Sequence, residues 1–217
     1  MTQKLLCKAL LFDLDGVLAD TTALVEATWA NWAESRGFDQ DLAARVHGRP
    51  TAEIIGDVAP ELDPEQEARE IESSQERRIP SVSPVDGALE LVSSLPAGSW
   101  AVVTSGTRAQ ASARLAAIGL EPPEVVITSE DIAAGKPDPE PYLAAAARLG
   151  VRPDECVVFE DAPAGIESGR AAGMRTIGLT TTMGPDLLGG ADHVVASLRQ
   201  VRAEPSADRI AVEVDSH

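Results

Sequence analysis

From about residue 99 the chain repeats one pattern: a short apolar run, a segment with helical spacing, then another run. "SWAVVTS", "EVVIT", "CVVFE", "RTIGL" and a last "HVV" are the runs, and Arg108–Ile118, Glu140–Leu149 and Ala162–Ala172 separate the first four. The runs are short, unbroken and rich in valine and isoleucine, as strands buried on both faces of a parallel sheet must be. Between them apolar residues recur at helical intervals, Ala111, Leu115 and Ile118 for example, with Gly119 and Gly150 placed to cap the helices. This alternation predicts an α/β fold: a Rossmann-like parallel sheet with helices on both faces.

Residues 8–14 read as a further buried strand, yet no strand follows for about eighty residues. Instead Thr21–Arg36 has helical spacing, with Val25, Trp29 and Trp32 on one face, and helical segments follow near 40–47, 52–58 and 64–78. Pro80 and Pro84 close that block, and "DGALELVSSL" leads back as a helix. The expected organisation is an α/β core of residues 1–15 and 84–202, and an all-helical cap of residues 16–83 inserted after the first strand. Residues 203–217 are acidic and polar, and their "RIAVEV" reads either as an added edge strand or as part of a loose C-terminal tail.

Thirty-five acidic against eighteen basic residues leave a formal charge of −17, which opposes binding to nucleic acid or to an anionic membrane surface. A phosphorylated substrate would need a local cation to receive it. The stretch "LLCKALLF" is broken by Lys8 and too short for a signal peptide or a membrane span, so a cytoplasmic location is expected. Cys7 and Cys156 lie beside predicted strands without metal-site spacing and are expected to be buried free thiols.

In open α/β sheets ligands bind beyond the carboxyl ends of the strands. After the first strand stands Asp13-Leu14-Asp15-Gly16, after the second Thr104-Ser105-Gly106-Thr107, after the third Gly135-Lys136-Pro137, and after the fourth Glu160-Asp161. Each alone has an ordinary reading: a turn, an N-cap, a solvated lysine, a helix cap. One sheet, however, would bring all four to one edge, where close carboxylates would raise each other's pKa. A divalent cation removes that conflict, and oxygen donors without histidine or cysteine favour Mg²⁺ over zinc. A carboxylate beside Mg²⁺, with a hydroxyl and a lysine for phosphoryl oxygens, suits phosphoryl transfer.

"DLDGVL", "VVTSGT", "GKPDPEPY" and "FEDAPAGI" resemble, in order, the four signature motifs of haloacid dehalogenase superfamily phosphatases, and the helical insertion resembles their cap. The resemblance covers nearly all of residues 8–195 and is closest to small sugar-phosphate and polyol-phosphate phosphatases, with beta-phosphoglucomutase as a close relative. It implies Asp13 as nucleophile and metal ligand, and Asp15 as general acid and base whose backbone carbonyl also ligates the metal. Thr104, the Ser105 N–H and Lys136 would hold the phosphoryl group. Asp161 would ligate Mg²⁺, with Glu160 doing so directly or through water. His47 and Arg49, in "VHGRPTAEII", resemble the loop of the cap that faces substrate, although Pro50 and Thr51 follow where relatives often place a base.

Asp20 and Thr21 either meet the leaving group or serve as hinge and helix cap, with capping favoured for Thr21. Arg108 is either a phosphate-site partner or a solvated surface residue. Trp29 and Trp32 are expected in the core of the cap. The expected partner is a small phosphate monoester, bound by a monomer or weak dimer. A phosphomutase would use the same residues, whereas a non-catalytic binding protein would leave them idle.

Overall fold

A computed structural model describes residues 2–39, 51–76 and 82–215. At its centre is a six-stranded, all-parallel sheet formed by β2 (Ala9–Phe12), β5 (Trp100–Val103), β6 (Val125–Ile127), β7 (Cys156–Glu160), β8 (Arg175–Leu179) and β9 (His193–Val195). The spatial order is β6-β5-β2-β7-β8-β9. Strand order therefore reverses at β2, and a crevice opens there at the carboxyl ends.

Successive side chains on a strand point to opposite faces. Accordingly, Leu10, Phe12, Val102, Val157 and Phe159 join one core cluster, while Leu11, Ala101, Val103 and Val158 join another. Helices α5 (Arg108–Ala117), α6 (Glu140–Leu149) and α7 (Pro163–Ala171) cover the sheet as the alternation predicts. Gly119 and Gly150 follow α5 and α6 with positive φ.

Phe12 and Phe159 lie opposite one another in the β2–β7 register and stack at 4.7 Å between ring centroids. Such a pair is worth roughly 0.5–1.5 kcal/mol beyond its burial. Asp13 and Glu160 are the next residues along the chain, so the β2–β7 pairing brings them side by side while their side chains leave from the face opposite the stack.

The insertion after β2 contains α1 (Thr22–Arg36), α2 (Thr51–Val58) and α3 (Pro64–Glu76). They bury a core of their own around Trp29, Trp32, Ile54, Ile55 and Ile71. The two tryptophans meet edge to face at 5.5 Å, and the Trp32 indole N–H donates to Glu67 at 2.6 Å. Both are packed as cap core. The chain leaves and re-enters the α/β unit through two short antiparallel strands, β3 (Ala19–Asp20) and β4 (Ser83–Pro84), before α4 (Ala88–Ser93).

Residues 203–217 are not a loose tail where they are described. β10 (Val201–Pro205) and β11 (Ile210–Asp215) form a separate antiparallel sheet with β1 (Thr2–Cys7). β11 is its middle strand, so the alternative of an added edge strand is also revised. The reason is the alternation itself: Ile210, Val212 and Val214 are buried in the main core, while Ala211, Glu213 and Asp215 are only partly covered. Cys7 and Cys156 are free and buried, and burial pushes their thiols up to about 11 and 12. Among the described residues no helix is long and apolar enough to cross a membrane.

Candidate active site

The strand ends meet as expected. Asp13, Glu160 and Asp161 are buried, with carboxylate oxygens within 4.8 Å of one another. Lys136 stands among them, only 2% exposed. Its Nζ donates to Asp13 Oδ1 at 2.5 Å, Glu160 Oε1 at 2.6 Å and the Val103 carbonyl at 3.0 Å. The reading of Lys136 as a solvated loop residue is thereby excluded.

Burial is the main force raising the Asp13 carboxyl to about 7, opposed by Lys136 and reinforced by Glu160 and Asp15. Asp161 is likewise raised, first by burial and then by Asp13 and Glu160. Burial alone would lower the Lys136 ammonium, but the charges of Asp13 and Glu160 outweigh it and hold it above its ordinary value. Were all three carboxyls ionised, the single ammonium would leave two buried negative charges uncompensated, which is why Asp13 and Asp161 hold their protons more tightly when no cation is present. The donors are all oxygen, so the residues present fit a hard divalent cation such as Mg²⁺.

Local geometry makes this cluster possible. Gly16 turns the chain with φ +77°, and a Cβ there would stand 2.0 Å from Asp161 Oδ2. Only glycine lets the Asp13–Gly16 loop lie against that acid. Gly165, in the first turn of α7, plays the same part for Glu160, whose Oε1 would be 1.8 Å from an added Cβ. Glu160 has no room to yield, because Oε1 also accepts from Tyr142 at 2.7 Å and Oε2 accepts from the Asp161 N–H at 3.2 Å. Gly165→Ala is therefore expected to cost roughly 1–3 kcal/mol, read as a lowered Tm, while Gly184→Ala, with open space around it, should leave Tm nearly unchanged.

Thr104 follows β5 and is buried, its Oγ1 accepting the Gly106 N–H at 3.1 Å. The N-cap of α5 is Thr107, which forms a capping box with Gln110, so the Thr104-Ser105 pair is not consumed by capping. Ser105 lines a cleft of about 380 Å³ between the insertion and the sheet, together with Gly135 on its own side and Thr51, Glu53, Arg69 and Glu72 on the helical side. A larger cavity of about 500 Å³ lies between α1 and α3; neither space is lined by Asp13, Glu160, Asp161 or Lys136, and the cleft adjoins the site through Ser105, next to Thr104, and Gly135, next to Lys136.

Asp15 stands apart from the acid cluster. Its Oδ1 accepts the Thr21 hydroxyl at 2.7 Å and its Oδ2 accepts Arg114 Nη1 at 2.7 Å. Thr21 therefore does not cap α1 with its side chain; the Asp20 carboxylate accepts the Thr22 N–H instead, at 3.3 Å. Arg108 is drawn to the surface, where it pairs with Asp131 at 2.5 Å. His47 and Arg49 lie outside the described residues, as does the helical segment expected at 40–47.

Sequence reasoning missed Tyr142, Thr182 and Arg114. Tyr142 closes the quoted "GKPDPEPY", and its place there was the available signal. Thr182, which donates to Asp161 Oδ2 at 2.6 Å, carries no motif. Arg114 is 99 residues from its partner Asp15.

A family model described as haloacid dehalogenase-like hydrolase matches residues 10–179. The chain is 38% identical to hexitol phosphatase A of Escherichia coli (strain K12), over 94% of this chain and 98% of that protein. It is 36% identical to glycerol-1-phosphate phosphohydrolase 2 of Saccharomyces cerevisiae, over 89% and 84% respectively. Among solved structures, a beta-phosphoglucomutase from Clostridium difficile superposes with a TM-score of 0.77 at 23% identity, covering 89% of this chain and 92% of that one.

Proposed function

The chain belongs to the haloacid dehalogenase-like hydrolases, and on that premise we propose that it hydrolyses a small sugar or polyol phosphate through an aspartyl phosphate on Asp13. The observation that carries this reading is Asp13 itself: a buried carboxylate at a strand end, held by the Lys136 ammonium and facing further acids.

A carboxylate oxygen of Asp13 attacks phosphorus, and the bond from phosphorus to the leaving oxygen breaks as that oxygen takes a proton from Asp15. In the second half, a water oxygen attacks phosphorus and gives its proton to Asp15. The bond from Asp13 to phosphorus then breaks, restoring the carboxylate and releasing inorganic phosphate. Lys136, the Thr104 hydroxyl and the Ser105 N–H hold phosphoryl oxygens, supplying the local positive field that a chain of net charge −17 otherwise lacks. Bound Mg²⁺ would be held by Asp13, Asp161 and the Asp15 carbonyl, and would neutralise phosphoryl charge. Glu160 already accepts three hydrogen bonds, so we assign it to anchoring Lys136, with any contact to the metal made through water.

The cleft beside Ser105 supports the substrate class. Its hydroxyl and carboxylate groups suit a polyhydroxylated leaving group, and the relatives named for hexitol and glycerol phosphates point the same way. His47 and Arg49 remain proposed contacts to that group.

Phosphate release from hexitol, hexose, pentose and glycerol phosphates, with Mg²⁺ and with chelator, tests the reading. It predicts one phosphate per substrate consumed and loss of release on chelation. Isomerisation of beta-glucose 1-phosphate without free phosphate would instead identify a mutase, and no turnover of any ester would point to a binding protein.

A further inference from the structure

The Arg114 guanidinium is almost wholly enclosed, its side chain 5% exposed, although it lies in the last turn of a helix on the outside of the sheet. Burying a charged group costs several kcal/mol unless good partners receive it. Its partners come from two other parts of the fold. Nη1 donates to Asp15 Oδ2 at 2.7 Å, and Nη2 donates to Gln75 Oε1 at 2.8 Å. Gln75 is itself buried and belongs to α3 of the helical insertion.

Nε of Arg114 is buried with no partner among the described residues. The α5 surroundings thus do not account for this side chain, whereas Asp15 and Gln75 do. Gly106 leaves it room, since a Cβ there would stand 3.1 Å from Nη1. One guanidinium therefore joins the loop after β2, the core helix α5 and the insertion.

We propose that Arg114 is a positioning residue: it sets where the Asp15 carboxylate stands and, through Gln75, ties that position to the seat of the helical insertion. This rests on the assignment of Asp15 as proton donor made above. A movement of α3 against α5 therefore acts on the same guanidinium that holds Asp15.

The test uses two esters that differ in their need for a proton. kcat/KM reports the steps up to departure of the leaving group, so it depends on Asp15 for glycerol phosphate and little for 4-nitrophenyl phosphate, whose leaving group departs unprotonated. Arg114→Leu should lose about 10²-fold in kcat/KM on glycerol phosphate, the lower end of acid–base contributions, and no more than about threefold on 4-nitrophenyl phosphate. Gln75→Leu should show the same selectivity at several-fold, and Arg114→Lys should recover part of the loss. Should Arg114→Leu fail to fold, the other two variants carry the same comparison.

Equal losses on both esters, or no loss on either, in folded variants would overturn the proposal. Asp15→Asn is the reference. Its failure to show the selective loss would overturn the proton-donor assignment, and the positioning role with it.

Discussion

Asp13→Asn is expected to slow phosphate release by at least about 10⁵-fold, as loss of an enzymatic nucleophile does, while the protein remains folded. The neighbouring acids are engaged elsewhere: Asp15 by Thr21 and Arg114, Glu160 by Lys136, Tyr142 and the Asp161 N–H, and Asp161 by the Thr182 hydroxyl.

The same substitution should not destabilise the metal-free protein at neutral pH. Burial first, then Glu160 and Asp15, raise the Asp13 carboxyl from 3.8 to about 7 in the folded state, against the pull of Lys136. The folded protein thus binds this proton more tightly than the unfolded chain, and Asp13 weakens folding progressively as pH rises from about 4 through about 7. Asparagine carries no such charge, and Lys136 keeps Glu160 and the Val103 carbonyl. Thermal unfolding in chelator at pH 8 should give Asp13→Asn a Tm equal to or above the wild type, with any gain vanishing near pH 4. A large fall in Tm at pH 8 would mean that Asp13 is a structural rather than a reactive acid.

Lys136→Met should act in the opposite sense on stability and in the same sense on turnover. Removing the ammonium leaves Asp13 and Glu160 buried without their shared counterion, a change that costs roughly 3–5 kcal/mol for a broken buried pair. At about 2–4 °C per kcal/mol for a chain of this size, Tm in chelator should fall by roughly 10 °C. Phosphoryl transfer should slow by about 10²–10³-fold, the scale of one lost electrostatic stabiliser. Added Mg²⁺ should recover part of the stability, because it supplies charge to the same acids, but not the turnover. Unchanged Tm with unchanged turnover would refute the place given to Lys136.

Much of this site is legible in the sequence because a parallel sheet converts separate motifs into neighbours. Once β2, β5 and β7 are read as strands, Asp13, Thr104 and Glu160-Asp161 must share an edge, and "GKP" places its lysine in the loop after β6. Topology also explains the errors. β11 alternates apolar and polar residues, which an exposed acidic tail can equally do by chance, and only pairing with β1 across the whole chain distinguishes them. Thr21 precedes a helix and so resembles a cap, but its hydroxyl is drawn to Asp15 six residues back. Arg114 sits at a helical position where a charged residue usually faces water, and what buries it is a carboxylate and an amide from two distant segments. Tyr142 is readable as core from its spacing, whereas its hydrogen bond to Glu160 depends on how α6 leans over the sheet.

Trapping the reaction midway shows whether Asp13 carries the phosphoryl group. Enzyme mixed with a hexitol or glycerol phosphate is quenched within one turnover, treated with borohydride to reduce any acyl phosphate, and digested for mass spectrometry. An aspartyl phosphate on Asp13 yields homoserine there, in an amount that rises and decays with the burst of released alcohol and is absent from Asp13→Asn. Released alcohol with Asp13 unreduced throughout, or reduction at another carboxylate, would contradict Asp13 as the nucleophile.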